Sequence, residues 1–424
     1  LNPHTTYPTT RPLGHTQSYP TRDHRVKRAR IIDVRPIDAT IDGEAVFLPH
    51  SRRSHDHPLS PHPMELLLVS DVRYPYDSLL AFAIDAFVTA GLTQSQSAEA
   101  AALLLQSDLR GIASHGLGRL AGYVSRLQRG FDRADAEVEV VRESPVTLAL
   151  DGHLGLGLLV GPEAMRRTIA KAKGQGVCMT TVRNSNHFGI AGNYALMAAR
   201  EGLGGLAMTN SSRVVVPLFG RTTRLGTNPI AFAVPTSAEP FVLDMSTSTV
   251  AWGKIEIARR AGLPIPDGWG VDDEGRTTTD PHQVVGLTPL GGTRERSGHK
   301  GYGLGLMVEI LTGPLSGGVW SNHVNRQFEQ TFPPGTGHFF MAWRIDAFRE
   351  PEEFIAAMDQ MVQELRETPV ADDAPGPVLV PGDPEVAAER DNRENGIPVA
   401  PGLARELAKM AERIGIDHPF QVGV

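Results

Sequence analysis

The fold is decided in residues 177–209, whose sequence is VCMTTVRNSNHFGIAGNYALMAAREGLGGLAMT. Residues 177–182 form an apolar run of the β type, and a helical pattern occupies about 190–200 and ends at Gly202. A second strand-like run follows over 206–209. Strands that alternate with helices in this way predict an α/β or α+β fold.

The alternation continues on both sides of this stretch. Thr93, with Gln96 three residues later, forms a capping-box pattern that opens a helix over 95–110. Pro162 is predicted to open a helix that ends at Gly174. Further helices are predicted at 78–89, 118–129, 250–261, 302–311, 352–367 and 402–414, and further strands at 230–234, 241–244 and 338–345.

Composition narrows the class of protein. The 424 residues carry a net charge of −7, and this mild acidity argues against a dedicated nucleic-acid binder. No apolar run reaches the ~18 residues that a membrane-spanning helix needs, so no membrane partner is expected. A single cysteine, Cys178, excludes a disulfide framework within the chain and a cysteine-based metal cluster, so we expect no metal and a cytoplasmic location.

Residues 1–63 differ from the rest of the chain. They hold seven histidines, nine prolines and no methionine, and the first methionine is Met64. Such a polar, proline-rich segment cannot bury enough apolar surface to fold, so we predict a disordered extension without function. A targeting peptide is the rival interpretation, but the segment lacks an apolar core and contains Asp23, Asp33 and Asp38.

The first candidate site segment is Ser114-His115-Gly116, followed by Arg119 and Tyr123. Arg119 and Tyr123 are four residues apart and would share one face of a helix that begins near Leu117. Arginine can grip a carboxylate with two parallel hydrogen bonds, and free backbone N–H groups at a helix start favour an anion. This pattern alone favours the other interpretation, a helix-capping serine with a surface arginine.

The second segment is the loop Asn184-Ser185-Asn186-His187-Phe188-Gly189, between the predicted strand and helix. His187 is a candidate general acid or base, because its unperturbed pKa lies near neutrality. Taken alone, it could equally be a loop histidine that is hydrogen-bonded by neighbouring asparagine and serine groups.

Three later segments could contact a nucleotide. Small polar residues at 209–212 and 226–229 can offer hydroxyls and amides to phosphate or ribose, although turns need the same residue types. Asp244 ends an apolar strand and could orient a ribose or simply cap the next helix. Lys300 precedes a helix, but the Walker A order is absent. Glycines 152, 155, 157 and 161 miss the dinucleotide fingerprint spacing, so a Rossmann fold is not predicted.

Taken in order, these segments resemble the malate/L-lactate dehydrogenase family of the non-Rossmann type. The resemblance covers about residues 70–420, and six motifs in the family's order make it specific. They are SHGLGR (114–119), NSNHFGIAG (184–192), RLGTNPIAFAVP (224–235), LDMSTSTVAWGK (243–254), LPIPDGWGVDDEGRTTTDP (263–281) and HKGYGLGLMVEILTG (299–313).

The resemblance implies an NAD(P)-binding fold with a largely antiparallel central sheet, working as a homodimer. It implies His187 as the catalytic proton acceptor and Ser114, His115 and Arg119 as the residues that hold the substrate's carboxylate and its C2 oxygen. Ser114 and His115 are therefore predicted as catalytic residues with His187, and Tyr123 is predicted to bind the substrate with Arg119. Cofactor-contact positions of the family match Ser211, Asp244, Met245, Ser246, Lys300, Gly382, Asp383 and Pro384.

It further implies a helical N-terminal part over 64–150 that contributes substrate residues and an NAD(P)-binding domain over 151–335. Strand and helices over 336–424 would pack back on the N-terminal part.

The expected activity is hydride transfer between NAD or NADP and a small 2-hydroxy or 2-keto acid. The chemistry needs a base, a carboxylate clamp and a nicotinamide. An imine or keto-sugar-acid reductase (piperideine-2-carboxylate or 2,3-diketogulonate type) or a ureidoglycolate dehydrogenase on the same scaffold is the alternative. A catalytically silent binding protein is a third hypothesis. The choice between NAD and NADP stays open, because Arg213 could meet a 2′-phosphate or remain solvated.

Overall fold

A seven-stranded mixed sheet lies at the centre of the chain in the computed structural model, which describes residues 72–324 and 335–421. The predicted extension over 1–63 lies outside these described residues. The sheet strands are β2 (Glu139–Glu143), β3 (Thr147–Asp151), β4 (Val177–Ser185), β5 (Leu203–Thr209), β6 (Ile230–Val234), β7 (Phe241–Met245) and β11 (Thr336–Arg344). Short strands β1 (Val72–Tyr74), β8 (Gly270–Val271), β9 (Thr277–Thr278), β10 (Gly286–Leu287) and β12 (Ile397–Val399) form two smaller sheets.

Helices surround the sheet. They are α1 (Tyr76–Thr89), α2 (Gln94–Leu109), α3 (Leu120–Gln128), α4 (Gly157–Gln175), α5 (Gly192–Arg200), α6 (Trp252–Ala261), α7 (Gly298–Thr312), α8 (Pro351–Arg366), α9 (Asp383–Asn395) and α10 (Pro401–Ile414). Of the helices in the described ranges, none has the length and apolar composition that crossing a bilayer requires.

The central sheet has the strand order β2-β3-β4-β11-β5-β6-β7. Only β3 and β4 pair in parallel, and every other neighbouring pair of this sheet is antiparallel. The predicted mixed α/β fold with a largely antiparallel, non-Rossmann sheet is therefore confirmed. Because β11 lies between β4 and β5, the ends of those two strands meet at one edge, where Ser185 pairs with Thr336 and Thr209 with His338.

A separate apolar core joins the beginning and the end of the described chain. It unites buried side chains of α1, α2, α3 and α10, and β1 pairs with β12 across it. Phe420 packs edge-on against Tyr74 and Phe82, with ring centroids 5.4 and 5.1 Å apart. C-terminal residues thus contact the N-terminal helices. The division of the chain into four parts, over 1–63, 64–150, 151–335 and 336–424, stays a prediction.

Two local predictions have opposite outcomes. The capping box is confirmed, since the Thr93 hydroxyl accepts from the Gln96 N–H and the Gln96 amide oxygen accepts from the Thr93 N–H. The helix start at Pro162 is wrong, because α4 begins five residues earlier, at Gly157. A Cβ on Gly157 would lie 2.3 Å from the carbonyl oxygen of His187, so only glycine lets α4 start against that loop.

Candidate active site

His187 lies in the loop between β4 and α5 and lines a cavity at the edge where β4 and β5 end. This cavity also has walls from His115 on the 3₁₀ turn Ala113–His115, from Thr209 at the end of β5 and Asn210 after it, and from Thr336 at the start of β11. Three of the predicted site segments, which are far apart in the sequence, therefore meet at one opening.

Two groups hold the inner nitrogen of the His187 ring. Nδ1 accepts the Gly189 backbone N–H at 3.3 Å and bonds to the hydroxyl of Tyr123. A backbone N–H can only donate, so in the neutral ring the proton belongs on Nε2. Burial, reinforced by His115 and Arg119, lowers the pKa of His187 well below its usual value, so the ring is neutral at pH 7.

His115 stacks against His187, with ring centroids 5.5 Å apart and 20° between the planes. The Ser114 hydroxyl lies 2.9 Å from its Nδ1, and Arg119 Nε donates to the Ser114 carbonyl at 2.8 Å. Burial and then Arg119 lower the pKa of His115 to about 4. The cluster therefore holds two neutral imidazoles beside one guanidinium, and this local positive charge suits an anion.

Tyr123 lies behind His187 and not on the cavity wall. Its side chain is 2% exposed, and burial raises the pKa of its hydroxyl. The predicted helix face is present in modified form: Arg119 ends a 3₁₀ turn, Leu117–Arg119, and Tyr123 follows in α3.

A buried carboxylate supports the Ser114–Arg119 segment from below. Asp108, near the end of α2, accepts the Leu117 N–H at 2.7 Å, and burial raises its pKa to about 7. A Cβ on Gly116 would lie 2.0 Å from this carboxylate, so the segment can approach Asp108 only because residue 116 is glycine.

A second buried network supports the His187 loop. Arg126, three residues after Tyr123 in α3, pairs with Asp132 at 2.6 Å and donates to the Asn186 side-chain oxygen at 3.1 Å. The Asn186 amide donates in turn to the carbonyl oxygens of Leu154 and Gly155. The residue before His187 is thereby fixed by buried hydrogen bonds on both sides of its amide.

The predicted cofactor positions divide between two cavities. Ser211 lines the His187 cavity, whereas Asp244, Gly382 and Pro384 line a second cavity of 280 Å³, with Met245 and Ser246 following Asp244 at the end of β7. Asp383, which begins α9, pairs with Arg366 at 2.5 Å. Lys300 is exposed in the first turn of α7 and is not among the residues that line either cavity.

The second cavity has a polar floor and apolar walls. Asp244 accepts the Gly192 N–H at 2.7 Å, and burial raises its pKa to about 6. Ile112, Ile190 and Val242 contribute apolar surface. A carboxylate beside apolar walls has the chemistry that binds a ribose and a flat base, so these residues fit a dinucleotide.

Several residues of the site carry no recognisable signal in the sequence. Asp108, Arg126 and Asp132 act through contacts that only the fold creates. Of these residues, Arg126 alone could have been suspected from the sequence, because it lies one helical turn beyond Tyr123.

The chain is similar to known proteins over most of its length, in sequence and in fold. The family model described as malate/L-lactate dehydrogenase matches residues 74–408. Malate dehydrogenase of Pyrococcus abyssi is 42% identical over 349 residues, which cover 81% of this chain and 96% of the relative. L-sulfolactate dehydrogenase of Methanocaldococcus jannaschii is 34% identical, covering 79% and 95%. The solved malate dehydrogenase of Pyrococcus horikoshii superposes with a TM-score of 0.76 at 38% identity, covering 82% and 97%.

The fold and these relatives define an oxidoreductase that acts on the CH–OH group of a hydroxy acid and uses a nicotinamide cofactor. The chain belongs to the malate/L-lactate dehydrogenase family.

Proposed function

We propose that this enzyme interconverts a small 2-hydroxy acid of the malate or sulfolactate type and its 2-keto acid. The observation that carries the proposal is the neutral His187 ring, held at Nδ1 and open to a cavity whose wall includes His115. Arg119 is not a lining residue of this cavity, but it is hydrogen-bonded to Ser114, next to His115, and its charge acts on His187. Malate and sulfolactate both carry a second anionic group, and the names of the similar proteins favour this class.

The bound nicotinamide supplies the hydride acceptor for C2 of the hydroxy acid. His187 Nε2 takes the hydroxyl proton in this direction and returns it to the keto oxygen in the other. Nε2 can accept that proton only when the ring's own proton lies on Nδ1. The neutral ring must therefore change from the Nε2–H tautomer described above to the Nδ1–H tautomer. The Tyr123 hydroxyl supports both arrangements, because a phenol donates to a bare Nδ1 and accepts from Nδ1–H.

Arg119 is proposed to hold the C1 carboxylate, with Ser114 and His115 positioned near the C2 oxygen. The Arg119 Nε bond to the Ser114 carbonyl aligns the guanidinium with the turn that carries His115. A fixed carboxylate leaves C2 little freedom to turn away from the nicotinamide. For Tyr123 we propose a positioning role in place of direct substrate binding, because its hydroxyl contacts His187 and its ring is buried.

Ser211 and the cavity of Asp244, Gly382 and Pro384 are proposed to hold the dinucleotide, with Met245, Ser246 and Lys300 as further contacts. The second cavity would hold the adenosine ribose, because its wall includes the carboxylates of Asp244 and Glu385. Arg110 also lines this cavity, and its guanidinium is paired with Glu389 at 3.3 Å. Carboxylates accept from ribose hydroxyls and repel a 2′-phosphate, which favours NAD over NADP. Arg213, the candidate for a 2′-phosphate, donates instead to the Asn322 carbonyl at 3.3 Å.

A homodimer is proposed on the family resemblance and on one surface. Leu304, Met307 and Ile310 of α7 are 36, 38 and 57% exposed. Large apolar side chains exposed along one helix are typical of an association surface. Sedimentation should give twice the 45.8 kDa chain mass, and Met307→Asp should shift the equilibrium towards the monomer. A wild-type sedimentation coefficient of a monomer at micromolar concentration would contradict the dimer.

A cytoplasmic location is proposed because the 424 residues contain a single cysteine, Cys178, and so no disulfide within the chain, which suits a reducing compartment. Cys178 is wholly buried in β4. Cell fractionation with an antibody to the chain tests this, and recovery of the protein in a membrane or secreted fraction would contradict it.

The activity is tested by NADH or NADPH oxidation with oxaloacetate, 3-sulfopyruvate, pyruvate and a cyclic imino acid, each at matched concentration. We expect oxaloacetate or 3-sulfopyruvate to give the highest kcat/KM, with NADH preferred. Exclusive turnover of the cyclic imino acid would replace the proposal with the imine-reductase alternative. An equal or better rate with NADPH would overturn the cofactor assignment alone.

A further inference from the structure

His338 is a wholly buried histidine in the middle of the central sheet, with both ring nitrogens bonded. It lies in β11, between β4 and β5. Its Nδ1 is 2.8 Å from the Thr209 hydroxyl, and its Nε2 is 2.7 Å from the Ser185 hydroxyl. The ring therefore bridges the last residues of the two strands that flank β11.

The hydrogen bonds fix how the ring carries its proton. The Thr209 hydroxyl donates to the carbonyl oxygens of Asn210 and Gly337, at 2.9 and 3.0 Å, so its oxygen accepts from His338 Nδ1–H. Burial lowers the pKa of His338 to about 3, so the ring is neutral. Its bare Nε2 then accepts from the Ser185 hydroxyl, and every polar atom of the bridge is satisfied.

The flat face of the His338 ring packs against the loop that carries His187. Phe188, the residue after His187, lies between His338 and Tyr194. Its ring is 4.4 Å from His338 at an interplanar angle of 10°, and 4.5 Å from Tyr194 at 27°. The backbone at residue 188 is therefore held by two stacked rings, one of which is also hydrogen-bonded to Thr209.

The sheet itself does not require this imidazole. Backbone hydrogen bonds already pair β11 with β4 and with β5, and an apolar ring would fill the same space in the core. A buried polar side chain normally costs stability unless all its partners are present. What the imidazole adds is a rigid link between the loop of His187 and the loop that begins at Asn210 and carries Ser211.

We propose that His338 is a positioning residue of the reaction, which fixes the distance between the loop that carries His187 and the loop that carries Ser211. It contacts the first loop through Ser185 and Phe188 and the second through Thr209. This inference rests on the proposed function, which places the reacting acid and the nicotinamide between those two loops. His338 itself contacts neither of them.

Four variants test the proposal. His338→Phe keeps the stacked ring and removes both hydrogen bonds, whereas His338→Gln keeps a donor for Thr209 and an acceptor for Ser185. Ser185→Ala removes one bond and leaves the ring. Phe339→Leu is the matched control, because Phe339 is a buried neighbour on β11 that packs in a different apolar cluster, with Met208 and Val308. The readouts are kcat, KM for both substrates and the thermal midpoint.

We expect His338→Phe to lower kcat by about tenfold or more and to raise the cofactor KM, since a misplacement of about 1 Å can cost about a hundredfold. His338→Gln should regain most of the kcat, and Ser185→Ala should be intermediate. Adding Ser185→Ala to His338→Phe should cause little further loss. Phe339→Leu should lower the thermal midpoint and leave kcat within about twofold of wild type.

A kcat of His338→Phe within about twofold of wild type would overturn the proposal, as would a His338→Gln variant no better than the phenylalanine. If His338→Phe does not fold, Ser185→Ala decides, and a kcat of that variant within about twofold of wild type would overturn the proposal. An inactive wild-type enzyme across the whole acid panel would instead be a failure of the proposed function.

Discussion

The hydroxyl of Tyr123 bonds to Nδ1 of His187 from inside the protein, on the side of the ring away from the cavity. The cavity side of the imidazole is thus open, and we propose that the substrate binds there. Tyr123, on the other side, influences which of the two ring nitrogens carries the proton. Gly189 N–H favours the bare Nδ1, and Tyr123 alone of the two can also accept a proton from it.

Removing the Tyr123 hydroxyl should therefore affect the pH profile as well as the rate. Protonated His187 donates from Nδ1, so in Tyr123→Phe the charged ring loses its acceptor and its pKa falls further below the usual value. Oxidation of the hydroxy acid requires the neutral ring. The kcat/KM for oxidation therefore falls only at low pH, where the ring becomes protonated. The acid limb should move down by about one pH unit or more, because a hydrogen bond to a charged group contributes about 1.5–3 kcal/mol.

The measurement is kcat/KM for hydroxy-acid oxidation from pH 4.5 to 9. In wild type we expect a level profile from about pH 6.5 upwards, with the acid limb well below that value, because burial and the neighbouring charges depress the pKa of His187. Tyr76→Phe, in α1 and not among the residues that line the cavity, is the control and should leave the profile unchanged. An unshifted acid limb in Tyr123→Phe would refute the proposal that the Tyr123 hydroxyl accepts a hydrogen bond from Nδ1–H of His187.

Arg119→Lys should raise the KM for the acid by roughly 10- to 100-fold, since a lysine keeps the charge but loses the planar fork. The kcat should fall by a smaller factor than kcat/KM, because the base remains in place. Arg200→Lys, at the exposed end of α5, provides the control. An unchanged KM in Arg119→Lys, measured by initial rates at saturating cofactor, would exclude Arg119 as the carboxylate clamp.

Gly116→Ala should weaken both the fold and the activity. Its Cβ would lie 2.0 Å from the Asp108 carboxylate, so the turn must move and the Leu117 hydrogen bond must lengthen. We expect a loss of about 1–3 kcal/mol in the free energy of unfolding, measured by urea titration, together with a lower kcat/KM.

Gly122→Ala is the matched control for this change. Gly122 lies in α3, and a Cβ added there would meet no atom of the described chain within 4 Å, so alanine should stabilise the helix by about 1 kcal/mol. Equal stability changes at positions 116 and 122 would show that the contact with Asp108 is unimportant.

Local patterns in the sequence predicted the surroundings of His187 well. The strand before it and the helix after it follow from periodicity, and the apolar run of residues 177–182 is part of β4. The loop between them is where a site is expected, and the structure brings His115 to it.

The supporting residues could not be predicted in the same way. His338 and Thr209 are 129 positions apart, and no local pattern indicates that β11 inserts between β4 and β5. Asp108 is a polar residue near the end of an alanine- and leucine-rich helix, a position typical of the surface. Its burial depends on the turn at Gly116, which only tertiary packing places against it.

The central claim, that His187 carries the proton, is tested most directly by single-turnover kinetics of His187→Ala with saturating cofactor and hydroxy acid. We expect the rate of cofactor reduction to fall by about 10²- to 10⁴-fold, while the dissociation constant of the cofactor, from fluorescence titration, stays within about threefold of wild type. Single turnover at the wild-type rate in His187→Ala would contradict the assignment.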